Sequence, residues 1–322
     1  MSRPAPKRAA GGPADMSVTT ESLSWATPGL AVRIRSFRAF SLPLSVLPVV
    51  VAAAVTLPVS RWRWDVLLVS MLGVAALHLA GNLLNDLFDF RSGVDRRVEG
   101  DEGRPGRVLV HGLMRPGQVA FEAGAAAAVA LATAAYILWR CGPAPLAFAA
   151  AGAALLYAYT GPPFTLKYRG VGEGAIFLAF GPLLMLGAAW AQSDGFVVAA
   201  LLLSVPLGCA TTAVVIGNNL RDRQEDAQAG IRTLGHAAGG ALARATYVAT
   251  VAVGGLFPAA MAAAGLGPIW LLLSPLALLA AARPLGAVWR NQRVPDIDKQ
   301  TAGFVTVLCV LILAVYVAHG LM

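Results

Sequence analysis

Two clusters of asparagine and aspartate lie at the ends of two apolar segments. Their carboxylate and amide oxygens are of the kind that binds divalent cations. The members are Asn82, Asp86 and Asp89 in the first cluster and Asn218, Asp222 and Asp226 in the second. If the ends of both segments are helical, the members of each cluster share one helix face. Carboxylates that converge near a hydrocarbon layer repel one another, and a shared divalent cation removes that conflict. Mg²⁺ prefers oxygen ligands and is often shared with a substrate phosphate, so the clusters predict a magnesium–diphosphate site whose four aspartates are catalytic.

Polar residues beside the clusters could complete such a site. Asn85 offers another neutral oxygen, and four basic side chains could hold a departing diphosphate: Arg104, Arg107, Lys167 and Arg232. Each base could equally be a charge of a cytoplasmic loop, and either cluster alone could be a solvated helix end paired with local arginines. Both alternatives stay open, but two clusters with matching Asn-x-x-x-Asp spacing favour the metal site.

The composition indicates that membrane helices position these residues. The 322 residues are 57% hydrophobic and 13% charged, whereas soluble domains are about 25% charged. The net charge of +8 comes without a basic tract, which argues against a nucleic-acid partner. Nine apolar segments predict an all-α polytopic membrane protein: Ala39–Leu57, Val66–Leu84, Val119–Trp139, Ala144–Tyr159, Gly174–Ala191, Phe196–Ile216, Tyr247–Leu266, Ile269–Ala282 and Ala302–Leu321.

The distribution of basic residues predicts the orientation. With a cytoplasmic N-terminus and nine helices, all of the 25 Lys and Arg residues except Arg61, Arg63 and Arg140 fall on the cytoplasmic side, as the positive-inside rule requires. Both clusters and their loops are then cytoplasmic. Residues 1–28, rich in small and polar residues, predict a disordered cytoplasmic tail before a membrane domain at 29–322. The Ala-rich, Arg-over-Lys usage is typical of a high-GC bacterial gene, so we expect the membrane to be a bacterial plasma membrane.

The two clusters resemble the signatures of the UbiA-type intramembrane prenyltransferases. Those signatures are N-x-x-x-D-x-x-D, followed by a further Asp, and D-x-x-x-D. Here they read Asn82–Asp86–Asp89, then Asp95, and Asp222–Asp226. The texts "GNLLNDLFDFRSGVD", "GRVLVHGLMRP", "KYRGVGE" and "GNNLRDRQEDAQAGIRTL" are similar to the 1,4-dihydroxy-2-naphthoate polyprenyltransferase branch. Ile231 differs from the lysine usual in that branch, which removes a possible phosphate contact.

The resemblance implies a fold and a reaction. Its helices would surround a central cavity capped by cytoplasmic loops, with Mg²⁺ on both motifs and an isoprenyl diphosphate between them. The isoprenyl group would pass to an aromatic acceptor, 1,4-dihydroxy-2-naphthoate or a related ring, as in menaquinone-type biosynthesis. The allylic cation needs a dry pocket, and the ring faces of Tyr157 and Tyr168 could stabilise it. Asp95 joins the substrate-binding residues on this basis.

Two other functions use some of the same features. A UbiA-type terpene cyclase would bind the diphosphate in the same way and quench the cation internally, without an acceptor. A membrane transporter would place its ionisable groups near the middle of the bilayer. The carboxylates of this chain collect at one face, which disfavours transport.

Overall fold

The structure is a computed structural model that describes residues 28–95, 106–223, 239–292 and 294–321. Its α-helices, in chain order, are α1 (Leu30–Ser36), α2 (Pro43–Val55), α3 (Trp64–Arg91), α4 (Pro116–Cys141), α5 (Ala144–Thr160), α6 (Gly172–Leu178), α7 (Leu184–Ser193), α8 (Val198–Arg221), α9 (Gly239–Ala263), α10 (Leu278–Trp289) and α11 (Ile297–Leu321). Short 3₁₀ segments cover Ala39–Ser41, Leu166–Arg169 and Ile269–Ala277. The described residues contain no strand, so the predicted all-α class is confirmed.

The lengths of the helices fit a multi-pass membrane protein. Seven helical stretches of the described residues are long and apolar enough to cross a bilayer, and α1 with Ala39–Val55 forms an eighth that is bent by 44°. Helix α5 has 17 residues, or about 26 Å, against a hydrocarbon core of about 30 Å. Each predicted segment is helical over most of its length, but nine spans would require α5 to cross. The count of nine therefore stays a prediction.

Several helices extend beyond the apolar segments that predicted them. Helix α3 continues past Leu84 to Arg91, and α8 continues past Ile216 to Arg221. Helix α11 begins at Ile297, before the predicted Ala302. These polar extensions form the last turns of α3 and α8 and the first turn of α11.

A bend after α1 brings a basic side chain to the end of α3. Arg38 has left-handed backbone angles (φ 50°, ψ 47°) between α1 and the 3₁₀ turn. The side-chain amide of Asn82 donates to the carbonyl oxygen of Phe37 at 3.2 Å. His78, one turn earlier on α3, is hydrogen-bonded to the hydroxyls of Ser41 at 3.0 Å and Ser45 at 2.9 Å. Helix α3 thus fixes both sides of the bend.

A π-helical turn joins α6 to α7 at Ala179–Leu183. Pro182 lies inside it and cannot donate a backbone hydrogen bond, so the helix widens there. The widened turn places the ring of Phe180 edge-on to His78, with ring centroids 5.5 Å apart. Gly181 also allows close approach to α8, because a Cβ there would lie 2.6 Å from the carbonyl oxygen of Ser204.

Helix α8 is the central helix of the fold. Buried residues make up 67% of its most apolar 18-residue window, against 17% for α4. The main apolar core surrounds α8 and includes Leu207, Tyr247, Phe304 and Leu308, all of which are fully buried. Helix α4 therefore lies at the periphery.

A second polar network lies at the other end of α3, around Asp65. The Asp65 carboxylate accepts hydrogen bonds from Tyr136 at 2.9 Å and from Arg140 at 2.8 Å. Arg63 pairs with Asp194 at 2.9 Å. The structure therefore places two of the three bases predicted to lie outside the cytoplasm, Arg63 and Arg140, at the opposite end of α3 from the acidic clusters.

Candidate active site

Both predicted clusters reach one polar chamber of about 250 Å³. The cluster residues that line it are Asn82 and Asp89 from α3 and Asn218 and Asp222 from the end of α8, and the neighbouring Asn85 lines it as well. Helix α11 and the segment between α5 and α6 close the chamber with Asp298 and Lys167. The sequence predicted that the clusters cooperate, and the structure brings them together.

These carboxylates lie at helix C-termini, where negative charge is electrostatically unfavourable. Asp86 and Asp89 lie in the last two turns of α3, and Asp222 caps the end of α8. The helix dipole presents partial negative charge at a C-terminus, which disfavours anions there. Helix stability therefore does not explain these aspartates, and each is stabilised by a cationic side chain.

Asp86 is paired with Arg38 and lies behind it. The Arg38 Nη2 donates to Asp86 Oδ1, and the Asp86 side chain is 1% exposed. A Cβ on Gly106 would lie 2.5 Å from Arg38 Nη2 and 3.2 Å from the same oxygen, so the loop packs closely against the ion pair. Arg38, rather than Asp86, lines the chamber. Asp86 could face a ligand only after Arg38 moves.

Asp89 accepts hydrogen bonds from two neighbouring residues of the 3₁₀ turn between α5 and α6. Lys167 Nζ lies 2.7 Å from Asp89 Oδ2, and the Tyr168 hydroxyl donates to Asp89 Oδ1. Burial alone would lower the pKa of Lys167, but the Asp89 carboxylate raises it above its ordinary value. Burial and the Asp89 carboxylate also raise the pKa of Tyr168. Lys167 is therefore a fixed positive charge at the chamber wall.

Asp95 and Arg107 form an ion pair of 3.1 Å at the chamber wall. Burial, followed by the nearby Asp89 carboxylate, raises the pKa of Asp95 to about 7. The arrangement connects the residue after α3 to the loop before α4, as expected if Asp95 and Arg107 belong to one binding site.

The second cluster is held by α6 and α11. Asn219 Nδ2 donates to Glu173 Oε1 at 2.8 Å. Arg221 donates two hydrogen bonds to the Asp222 carboxylate, from Nε to Oδ1 at 2.7 Å and from Nη2 to Oδ2 at 2.8 Å. The same guanidinium reaches Asp298 Oδ2 at 2.9 Å. The sequence did not predict Asp298 or Arg221 as site residues, because neither belongs to the helix-face pattern.

Besides Asp86 and Tyr168, which adjoin the chamber wall without lining it, four of the predicted residues are not brought to the chamber by the described structure. Asp226, Arg104 and Arg232 lie outside the described residues. Tyr157 is 44% exposed, and its hydroxyl donates to the carbonyl oxygen of Pro162 at 3.0 Å. Tyr159, two residues later, lines the chamber instead.

Some of the buried oxygens without hydrogen-bond partners among the described residues fit a cation site. Those on carboxylates and amides at the chamber are Asn85 Oδ1, Asp86 Oδ2, Asn218 Oδ1 and Asp298 Oδ1. A buried acceptor without a partner is costly, and all four belong to residues that line the chamber or adjoin its wall. Within the described ranges, no three acidic, histidine or cysteine side chains group closely enough to hold an ion alone. The chamber oxygens that lack hydrogen-bond partners are therefore candidate ligands for a cation.

An apolar chamber of about 510 Å³ lies next to the polar one. Its wall is made largely of small residues on α3, α4 and α5, such as Gly73, Ala130 and Ala153. His78 and Phe180 line both chambers, so the two meet at this pair. The resemblance implied a cavity with a dry pocket, but the sequence did not predict which residues line it, because the wall consists of ordinary apolar helix residues.

The apolar chamber reaches the outer surface between α4 and α5. Leu131 of α4 lines it and is 71% exposed. Ala149 and Ala150 of α5 line it as well and are also exposed. This opening lies between the exposed faces of α4 and α5.

Comparison with known proteins identifies relatives of this chain. It is 33% identical over 226 residues to the UbiA prenyltransferase domain-containing protein 1 of Danio rerio, covering 67% of this chain and 64% of that protein. The chain thus spans less than two thirds of this animal relative. It is 26% identical over 251 residues to the 1,4-dihydroxy-2-naphthoate octaprenyltransferase of Bacillus subtilis (strain 168), covering 78% of this chain and 79% of that enzyme.

A solved structure has the same fold. The UbiA homolog from Archaeoglobus fulgidus, bound to DMAPP and Mg²⁺, superposes with a TM-score of 0.63 at 17% identity, covering 89% of this chain and 99% of that one. The model of the UbiA prenyltransferase family matches residues 45–308, well over half of the 322. The polytopic helical fold, the paired acidic clusters and this match together show that the chain belongs to the UbiA prenyltransferase family.

Proposed function

We propose that the chain transfers an isoprenyl group from an isoprenyl diphosphate to an aromatic acceptor in a Mg²⁺-dependent reaction. The observation that carries this proposal is the meeting of two chambers at His78 and Phe180. An isoprenyl diphosphate has one highly charged end and one apolar end. The polar chamber suits the diphosphate and the apolar chamber suits the hydrocarbon, so the bond to be broken would lie near their junction.

The diphosphate end would be held by residues of both clusters and by bases around them. The proposed Mg²⁺ ligands are Asn82, Asp86, Asp89, Asn218, Asp222 and Asp226. Bound Mg²⁺ would neutralise the negative charge that develops on the leaving diphosphate. Lys167 and Arg107 lie at the chamber wall and would hold diphosphate oxygens, with Asn85, Asp95 and Tyr168 beside them. Arg104 and Arg232 are proposed to join them from segments outside the described residues.

The hydrocarbon end requires protection from water. When the allylic C–O bond breaks, the diphosphate leaves with the electron pair and the isoprenyl carbon becomes a cation. Apolar walls exclude the water that would quench it, and the rings of Phe180 and Tyr159 offer π faces nearby. A carbon of the aromatic acceptor then forms the new C–C bond, and the ring regains aromaticity by losing the group that it carried at that carbon. Tyr157 remains a proposed further contact.

The acceptor is proposed to be 1,4-dihydroxy-2-naphthoate or a related ring, which would place the reaction in menaquinone-type biosynthesis. The name of the Bacillus subtilis relative and the matching sequence segments support this choice. In that branch the ring loses its carboxylate as the isoprenyl group is attached. The enzyme would reside in a bacterial plasma membrane with the polar chamber on the cytoplasmic side, as the distribution of basic residues favours.

Diphosphate release by the purified full chain tests the proposal. The protein would receive geranylgeranyl diphosphate and Mg²⁺, with and without 1,4-dihydroxy-2-naphthoate. We expect release that requires the acceptor, stops with EDTA and yields a prenylated naphthoquinol. Release without acceptor, with a hydrocarbon or terpene alcohol as product, would favour a terpene cyclase instead. Absence of release with acceptors of several ring types and with several chain lengths would overturn the proposal.

A further inference from the structure

Asp298 lies at the start of α11 and shares one guanidinium with Asp222. Building on the proposed function, we infer that Asp298 is a positioning residue that receives Arg221 when Mg²⁺ and diphosphate bind. Asp222 is thereby released to coordinate the cation. The inference goes beyond the two acidic motifs, because Asp298 belongs to neither of them.

The geometry shows why Asp222 needs such a release. Arg221 donates to both oxygens of Asp222, at 2.7 and 2.8 Å, and paired Arg–carboxylate hydrogen bonds of this kind are strong. A cation that binds the Asp222 carboxylate must compete with these two hydrogen bonds. Without a second anion, the guanidinium displaced from Asp222 would be left unpaired inside a partly buried site, which is costly.

Asp298 provides a second carboxylate within hydrogen-bonding distance of the Arg221 guanidinium. Its Oδ2 already accepts from Arg221 Nη1 at 2.9 Å. Its Oδ1 is buried and has no hydrogen-bond partner among the described residues, although Asp298 lines the chamber. A guanidinium has five donors, so Arg221 can form a second hydrogen bond to Asp298 as it leaves Asp222. The guanidinium then keeps a charged partner throughout.

The helix dipole alone does not explain Asp298. An acidic residue near the start of α11 interacts favourably with that dipole, but Asp296 already provides one there. The Asp296 side chain is 61% exposed and pairs with Lys299 at 3.2 Å, whereas that of Asp298 is 8% exposed and faces the chamber. Asp296 is therefore a matched control on the same segment.

The test measures cation affinity without turnover. The unfolding temperature of the full chain in detergent would be followed against MgCl₂ concentration, with a non-reactive thiolo analogue of geranylgeranyl diphosphate present. We expect Asp298→Asn to raise the half-maximal MgCl₂ concentration about tenfold, the order of effect for one charge-assisted hydrogen bond. Asp298→Glu keeps the charge and should restore most of the affinity, and Asp296→Asn should match the parent. Should Asp298→Asn fail to fold, Asp298→Ser carries the same expectation.

Repeating the measurement in an Arg221→Gln variant distinguishes two explanations for the effect of Asp298→Asn. Either Asp298 acts by accepting Arg221, or it acts only through its negative charge. In Arg221→Gln the Arg221 guanidinium no longer competes for Asp222, so adding Asp298→Asn should leave the half-maximal MgCl₂ concentration unchanged. A tenfold rise in both backgrounds would show that Asp298 acts only through its charge, and no rise in either would show no role; each result overturns the inference. If the parent chain gains no stability from MgCl₂ and the analogue, the proposed function itself fails.

Discussion

At the scale of single residues, every described acidic member of the two clusters has a cation as its partner. Asp86 pairs with Arg38, Asp89 with Lys167, and Asp222 with Arg221. These pairs neutralise carboxylates that the helix dipoles and the partial burial would otherwise disfavour. Once a cation binds the carboxylates, Arg38 and Lys167 would be available for diphosphate oxygens, whereas Arg221 would pass to Asp298.

Asp86→Asn tests the role of the first cluster. Removing this carboxylate charge should lower acceptor-dependent diphosphate release by at least about 10²-fold, the order seen when one stabilising polar group is lost from an active site. Asp65→Asn is the control, because Asp65 lies on the same helix and pairs with Arg140 at the opposite end. The control should keep full activity. Activity of Asp86→Asn equal to that of Asp65→Asn, with both variants folded, would rule out Asp86 as a metal ligand.

The acidic residues could be predicted from the sequence, but their partners could not. Spacings of four and three residues place Asn82, Asp86 and Asp89 along one helix face. Arg38 is 48 residues away from Asp86, and it reaches Asp86 only because the chain bends after α1. Asp298 meets Arg221 through the packing of α11 on α8, which no local pattern reveals.

At the scale of helices, the fold depends on interruptions as much as on regular turns. Pro182 widens the helix between α6 and α7 and brings Phe180 to the junction of the chambers. Apolar content predicted the helical segments, because a backbone in lipid must satisfy its own hydrogen bonds. The left-handed turn at Arg38 and the π-helical turn at Pro182 were not predicted, because apolar content does not distinguish a straight helix from a broken one.

Gly181→Ala tests the close contact between the π-helical turn and α8. The new Cβ would lie 2.6 Å from the carbonyl oxygen of Ser204 and 3.0 Å from Cα of Gly208. Backbone atoms cannot rotate away, so we expect a loss of about 1–3 kcal/mol in the free energy of unfolding. Thermal unfolding in detergent measures it. Gly303→Ala is the control, since a Cβ there meets open space. An equal loss of stability in both variants would show that the close contact at Gly181 is not the cause of the loss.

Ala153→Phe tests whether the apolar chamber holds the isoprenoid. Ala153 of α5 lines the chamber, and Ala151 is exposed outside it. A ring at position 153 should fill part of the space, raising the KM for geranylgeranyl diphosphate about tenfold while changing that for dimethylallyl diphosphate little. Ala151→Phe should leave both constants unchanged. Equal effects on the long and short substrates would place the hydrocarbon elsewhere.

At the scale of the whole molecule, polar residues concentrate at two opposite ends of an apolar body. One end has the acidic clusters, and the other has the network around Asp65. The positive-inside rule predicts that the first end is cytoplasmic and that the end around Asp65 lies on the opposite side of the membrane.

Cysteine labelling tests this orientation. In a chain whose three cysteines are replaced by alanine, Val59→Cys and Gly117→Cys would each be exposed, at opposite ends. A membrane-impermeant maleimide should label position 59 in intact cells and position 117 only after the membrane is permeabilised. Both should react in detergent. The reverse pattern in cells would invert the predicted topology.

The opening of the apolar chamber between α4 and α5 affects how a product departs. Leu131 at this opening is 71% exposed on a peripheral helix, so a long prenylated ring could slide sideways into the bilayer without crossing water. The fluidity of the surrounding lipid, rather than the solubility of the product in water, would then determine the rate of product release. In vesicles cooled into the gel phase, we expect the first turnover to proceed and the steady-state rate to collapse. Rapid mixing followed by product extraction would distinguish the two phases.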